Sequence, residues 1–83
     1  MPRFYFHVFD GKDQRDDLGA ELPDFDAARV VAIRFAGEIL KDEAHQIALG
    51  HEWRMDVTDA SDMILFRLDF SAVASPAARP HLK

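Results

Sequence analysis

The residue types best suited to chemistry in this chain are clustered carboxylates, four histidines and a set of aromatic and arginine side chains. The carboxylates lie in the acidic segment 10–21, which can be aligned with a calcium-binding loop that begins at Asp10 and ends at Glu21. In this alignment Lys12 and Arg15 place positive charge beside the ion, and Arg15 stands where that loop requires glycine. We therefore expect a solvated turn and no metal site.

The histidines do not have the spacing of a metal site. His45 and His51 lie on either side of an expected helix end and His81 lies in the C-terminal segment, whereas a metalloprotease helix carries its two histidines one turn apart. His7 lies in an expected strand, where carboxylates and arginines of neighbouring strands can approach it. A general base also needs a positioned substrate, and the sequence marks no pocket. We predict no catalytic residue, no metal and no cofactor.

The elements that position these residues begin with a strand at residues 3–10, an aromatic and β-branched run that ends at an Asp-Gly turn signal. Alternation predicts one set of its side chains against a helix and the other set on the opposite face. The inner set is Phe4, Phe6 and Val8, and the outer set is Tyr5, His7 and Phe9. A short second strand at residues 14–17 is predicted to pair with the first.

The longest periodic stretch, residues 24–49, predicts the helix around which the domain is organised. Asp24 can accept from the N–H groups of the first turn, and Gly50 is the expected stop. The predicted buried face consists of Ala28, Ala32, Phe35, Ala36, Ile39 and Leu40. A helix of this length spans about 37 Å, whereas a strand of the expected length spans about 26 Å. The helix therefore either overhangs the sheet or ends near residues 41–43.

Residues 52–58 and 63–70 alternate between apolar and polar side chains on either side of the turn at residues 59–62, which predicts a β-hairpin. The predicted inward side chains are Trp53, Met55, Val57, Ile64, Phe66, Leu68 and Phe70. Phe35 of the helix and Phe66 of the second hairpin strand are expected to face each other in the core.

Together these elements predict an α+β fold, a two-layer sandwich in which an antiparallel sheet of three to four strands in ββαββ order carries one long helix on one face. Residues 1–71 are expected to form this single domain. Residues 72–83 contain two prolines and no apolar periodicity, and we expect them to be a loose C-terminal tail.

Composition argues against several function classes. The chain has 83 residues, no cysteine and a formal net charge of −5. Without cysteine there is no disulfide, thiol chemistry or cysteine-type zinc site. Net negative charge opposes attraction to nucleic-acid phosphates, so we do not expect direct nucleic-acid binding. No stretch reaches the length of a membrane span or of a signal-peptide apolar region, so we expect a soluble, cytoplasmic protein without membrane contact.

The outer face of the predicted sheet carries the candidate binding residues. Its aromatic and arginine side chains could stack on bases as in RNP-type domains, but the glycine- and lysine-rich strand motif of those domains is missing. An exposed apolar patch among charges on a small domain more often marks a protein contact. The candidate interface residues are Tyr5, His7, Phe9, Arg54, Asp56, Leu65 and Arg67.

The opening residues 1–8, Met-Pro-Arg-Phe-Tyr-Phe-His-Val, resemble a family of small uncharacterised bacterial domains that open Met-Pro-Arg-aromatic-aromatic-Phe-His. That family also has an acidic Asp-Gly loop, a Gly-x-Glu-Leu-Pro-Asp start to its helix, here residues 19–24, and a Trp-x-x-x-Val-x-Asp hairpin, here residues 53–59. The resemblance covers about residues 1 to 71. It implies a domain of unknown function, so it supports the fold boundaries and implies no activity.

Two function classes follow. The favoured one is a non-enzymatic protein-interaction module, a homodimer or a subunit that docks on another protein through the open sheet face or an edge strand. The alternative is an acidic nucleic-acid-associated regulator, for instance an antitoxin-like partner of a basic protein, by analogy of size, acidity and element pattern. An enzyme ranks third, because no catalytic constellation is visible.

Overall fold

The computed structural model describes residues 1–81, with side chains described through residue 78. Its elements are β1 (Arg3–Phe9), β2 (Asp13–Gln14), β3 (Ala20–Glu21), α1 (Phe25–Asp42), β4 (Glu52–Thr58), β5 (Ile64–Ser71) and a 3-10 helix (Pro76–His81). The strands form one antiparallel sheet in the order β2-β1-β4-β5, with β3 pairing beside β2 on the same edge of β1. The predicted α+β fold, with a helix packed on an antiparallel sheet, is confirmed.

The core lies between α1 and the two central strands. β1 and β4 pair with Phe6 opposite Val57 and Val8 opposite Met55, so their apolar side chains share the face that the helix covers. The buried apolar residues are Phe4, Phe6, Val8, Ala28, Ala32, Ala36, Trp53, Met55 and Val57. The inner faces predicted for the first strand and for the first hairpin strand are therefore confirmed.

The helix begins where the sequence predicts, and it ends at the earlier of the two predicted positions. Asp24 is the N-cap, and its Oδ1 accepts from the Ala27 N–H at 2.9 Å. The helix ends at Asp42, so the predicted break near residues 41–43 is confirmed and the predicted stop at Gly50 is wrong. Its 18 residues span about 27 Å, only slightly more than the roughly 23 Å of the seven-residue strands beneath it.

Phe35 does not lie in the core. It is 41% exposed, because the buried stripe of α1 is formed by alanines at four-residue spacing, whose small side chains let the helix approach the sheet closely. Phe66 instead packs edge-to-face on Phe25, with ring centroids 5.1 Å apart. The predicted contact between Phe35 and Phe66 is wrong.

β5 departs from simple alternation near its start. Val57 pairs with Phe66 but Thr58 pairs with Ile64, so a bulge at Leu65 shifts the register by one residue. Ile64 consequently shares the face of Thr58 and is 51% exposed, and its predicted inward position is wrong.

The segment between β1 and α1 also differs from its prediction. The second strand is shorter than predicted, residues 13–14 in place of 14–17, and β3 was not predicted. In the predicted tail, the described part contains the 3-10 helix, and residues 82–83 lie outside the described residues. None of the described helices is both long and apolar enough to cross a membrane.

Candidate functional site

The loop 15–19 covers the edge of β1 on the side away from β4 and contacts His7 on the outer face of the sheet, opposite the helix. β2 and β3 pair with the two ends of β1 and leave a gap at its middle, which the Asp16 carboxylate fills. Asp16 Oδ2 accepts from the Phe6 N–H at 3.1 Å, and Oδ1 accepts from the Leu18 and Gly19 N–H groups, each at 3.0 Å. A side-chain carboxylate therefore takes the place of a neighbouring strand.

Gly19 is required for this loop. Its φ is +68°, and an added Cβ would lie 2.8 Å from the carbonyl oxygen of Phe4. Other residues disfavour that backbone conformation, and the close approach to β1 leaves no room for a side chain. The glycine thus lets the carboxylate of Asp16 reach the edge of β1.

His7 joins the same loop to the sheet. Its Nδ1 accepts from the Asp16 N–H at 3.0 Å, so Nε2 carries the proton of the neutral ring and donates to Thr58 Oγ1, also at 3.0 Å. His7 and Thr58 are each 3% exposed. A general base needs a free lone pair facing a substrate, and the Nδ1 lone pair of His7 faces the backbone. This arrangement is a structural clamp.

Asp16 ionises more readily than an ordinary aspartate. Burial works to raise its pKa, but the hydrogen bonds from the Gly19, Phe6 and Leu18 backbone lower the pKa below its usual value. The ionised carboxylate is thus the form that the folded chain stabilises.

A buried carboxylate lies next to His7 in the sheet. Asp56 pairs with His7 across β1 and β4 and is 5% exposed. Arg67 Nε donates to Asp56 Oδ1 at 2.6 Å, and this hydrogen bond and the charge of Asp56 raise the pKa of Arg67. Arg54 Nε lies 3.5 Å from the other carboxylate oxygen, and its guanidinium lies 4.2 Å from the centroid of the Phe9 ring. The buried charge of Asp56 is therefore paired, as burial requires.

An open groove of about 870 Å³ lies at one end of the sheet, between the β1–β2 turn, the start of β4 and the end of β5. Three basic side chains line it, Lys12, Arg54 and Arg67, against three acidic ones, Asp13, Glu52 and Asp69. Because the charges balance, the groove does not favour an anionic or a cationic ligand. Among the described residues no three histidine, aspartate or glutamate side chains converge as a metal site.

The structure brings six of the seven predicted interface residues together on the outer face: Tyr5, His7, Phe9, Arg54, Asp56 and Arg67. Leu65 lies at the bulge, half-buried, and packs against the core. The sequence indicated that carboxylates and arginines of neighbouring strands could approach His7, and the strand pairing places Asp56 opposite it. The hydrogen bonds of Asp16 were missed, because no local signal shows which backbone groups lie near a loop carboxylate.

The free edge of β5 is a second candidate binding surface, and the sequence could not show which strand would have a free edge. Within the described chain no strand pairs with this edge, and α1 packs mainly against β4, so the helix leaves β5 partly uncovered. Phe25, which packs on Phe66, and Phe70 are 49% and 37% exposed, and Phe66 and Leu68 are half-buried. Finding this surface from sequence would have required the strand order.

The fold and its two surfaces define a small two-layer α+β domain with a polar clamp on the outer face and a strand edge left open. The chain belongs to the family of the domain of unknown function DUF6894, which it matches over residues 3–71. No curated protein sequence and no solved structure matches it significantly. The predicted membership of a family of unknown function is confirmed, and the match assigns no activity.

Proposed function

We propose that the chain is a small non-enzymatic protein-interaction module that binds another polypeptide through the outer edge of β5 and the apolar side chains beside it. The observation that supports this proposal most strongly is that β5, over Ile64–Ser71, is the last strand of the sheet. An unpaired strand presents backbone N–H and C=O groups to which an incoming strand can add, and alternate side chains then provide specificity.

The usual protections of an edge strand are weak along most of β5. Sheets protect their edges with prolines, bulges or outward charges. The bulge of β5 lies at its start, where Leu65 is skipped in the pairing, and the Arg67 side chain bonds to Asp56 of the neighbouring strand. From Phe66 to Ser71 the pairing with β4 is regular and the strand contains no proline. This part of β5, from Phe66 to Ser71, is the proposed binding surface.

The sequence predicted self-association through the outer face, and that remains a prediction. His7 and Asp56 of that face are 3% and 5% exposed, and Arg54 and Arg67 both lie beside Asp56. A partner on the outer face would compete for side chains that the chain already engages, so the β5 edge is the stronger candidate. A cytoplasmic setting, expected from the sequence, is part of the proposal.

Affinity capture from the native cell tests the surface with two matched baits. Phe70→Asp places a charge on the apolar side of β5, whereas Leu18→Asp makes the same change at a side chain that is 80% exposed in the loop on the β1 side of the sheet. Proteins retained by the wild type and by Leu18→Asp, but lost with Phe70→Asp, would support the proposal. Retention of the same proteins by all three baits would refute it, provided that far-UV circular dichroism shows all three folded.

The same experiment examines the alternative of an acidic partner for a basic protein. The net charge of −5 is the property that favours this alternative. A basic partner held by charge alone would dissociate as the salt concentration rises, because screening weakens exposed ion pairs. Its binding would not be reduced by Phe70→Asp. Capture of a basic protein that is lost at high salt but retained by Phe70→Asp would refute the β5 proposal and support the alternative.

A further inference from the structure

Resting on the proposed function of the β5 edge, we infer that the polypeptide bound there is a second copy of this chain, and that the two β5 strands pair antiparallel about a two-fold axis at Leu68. The sheet of one copy then continues into the sheet of the other. The sequence of β5 is self-complementary in this register and in no neighbouring one.

The two-fold axis restricts the choice of register. In antiparallel pairing, residues directly opposite each other share a face of the sheet. If both helices lie on one side of the continuous sheet, the two-fold axis must therefore pass between one residue and its own copy in the partner. Centring on Arg67 would oppose two guanidinium groups, and centring on Asp69 would oppose two carboxylates, both of which are destabilising. Centring on Leu68 places Arg67 opposite the partner's Asp69 and, by symmetry, Asp69 opposite the partner's Arg67.

The charges along each row of the extended sheet then alternate. Within one copy, Asp56 pairs with Arg67 and Arg54 pairs with Asp69. In the proposed register the row therefore reads Asp56, Arg67, the partner's Asp69 and the partner's Arg54, which is negative, positive, negative, positive. Like charges never lie opposite each other, and the second row is its symmetric copy.

Both charged side chains of β5, Arg67 and Asp69, are available for these ion pairs. Arg67 uses Nε and Nη2 for Asp56, and its side chain is 44% exposed. Asp69 forms no ion pair among the described residues, because Arg54, which lies opposite it on β4, is directed to Asp56 and Phe9. Asp69 thus has no ion pair within the described chain, and the partner's Arg67 would supply one.

The other face of β5 is apolar in the same register. Leu68 meets the partner's Leu68 on the axis, and Phe66 lies opposite the partner's Phe70. Phe70 is 37% exposed and Phe66 and Leu68 are half-buried in the single chain, so pairing removes apolar surface from water. Aromatic cross-strand pairs and burial of this kind stabilise sheets, and a small domain gains from both.

Single cysteines measure the register, since the chain has none of its own. In the proposed dimer, residue 68 faces its own copy at about 4.5–5.5 Å between Cα atoms, within disulfide range. Residues 67 and 69 are diagonal to their own copies at about 7–8 Å, at or beyond that range. Under mild oxidation, Leu68→Cys should form a disulfide dimer faster than Arg67→Cys or Asp69→Cys, and faster cross-linking at 67 or 69 would overturn the register.

Charge exchange tests the pairing without an introduced cysteine. Asp69→Lys should raise the dimer dissociation constant roughly tenfold or more, because two attractive pairs become repulsive. Arg67→Glu makes the equivalent change across the dimer, but it also removes the cation beside the buried Asp56, so circular dichroism must first show that this variant is folded. Mixing the two variants restores both attractive pairs, so the mixture should regain dimer in sedimentation equilibrium. Asp17→Lys, which makes the same charge change as Asp69→Lys at an exposed loop position, should leave the dimer unchanged. Failure of the mixture to recover, with both variants folded, would overturn the inference.

The outcomes separate this inference from the function on which it rests. A wild-type chain that stays monomeric at high micromolar concentration, yet captures another protein in a manner that Phe70→Asp abolishes, would overturn the second copy and leave β5 as the binding surface. A dimer insensitive to every β5 variant would overturn the second copy at β5, and the β5 surface itself would be overturned only if the Phe70→Asp bait also retained every captured protein.

Discussion

Replacing Asp16 by alanine should destabilise the domain, because this carboxylate holds the loop 15–19 against the gap in β1. The substitution removes the acceptor for three backbone N–H groups, those of Phe6, Leu18 and Gly19. Hydrogen bonds to an ionised acceptor contribute about 1.5–3 kcal/mol each. The bond from Leu18 is exposed and the other two are only part-buried, so water replaces much of what is lost.

We therefore expect Asp16→Ala to lower the free energy of unfolding by about 2 kcal/mol near neutral pH. Asp16→Asn keeps one acceptor oxygen and should lower it by about 1 kcal/mol. Asp17→Ala is the matched control, because it removes the same charge from the next residue, which is exposed, and should change stability by less than about 0.5 kcal/mol. Urea melts monitored by circular dichroism measure all three.

The pH dependence provides a second check. The pKa of Asp16 is lowered in the folded chain, so the unfolded chain binds the proton first as pH falls. The stabilisation is complete above the unfolded pKa of about 4, and it is lost as pH falls through the lower folded pKa. The difference between wild type and Asp16→Asn should therefore shrink in acid. An effect of Asp16→Ala below about 0.5 kcal/mol at neutral pH, or a difference that does not change in acid, would refute the role of this carboxylate.

Three further outcomes are expected. Gly19→Ala should destabilise the chain by more than about 1 kcal/mol in urea melts, because of its positive φ and its approach to Phe4, and an effect near zero would contradict that reading. Phe35→Ala should cost less than about 1 kcal/mol and Met55→Ala about 2–5 kcal/mol, since the first side chain is 41% exposed and the second fully buried; equal costs would contradict the assigned core. Millimolar calcium or zinc should leave the melting temperature unchanged, because ligands that bind only the native state raise it, and a saturable upward shift would contradict our interpretation of the acidic loop.

Local patterns predicted the parts of this fold that local physics determines. The N-cap at Asp24, the alternation of β1 and the hairpin all follow from neighbouring residues. The bulge at Leu65 and the exposure of Phe35 depend on how closely the helix and the strands approach, which a periodic pattern does not contain. The candidate site divides in the same way. The neighbourhood of His7 was predictable from alternation, whereas the free edge of β5 follows from strand order.

The position of β1 at the centre of the sheet also determines when the chain can fold during its synthesis. β1 is translated before β4, its main partner, and Tyr5 pairs with Thr58 far along the chain. Only β2 and β3 can pair with β1 early, and they cover one edge of it with two residues each. At a translation rate of about 5–20 residues per second, the aromatic side chains of β1 remain without their β4 partner for several seconds. The acidic segment that follows β1 keeps the nascent chain charged during that interval, and sequence-distant pairing of this kind makes folding slow.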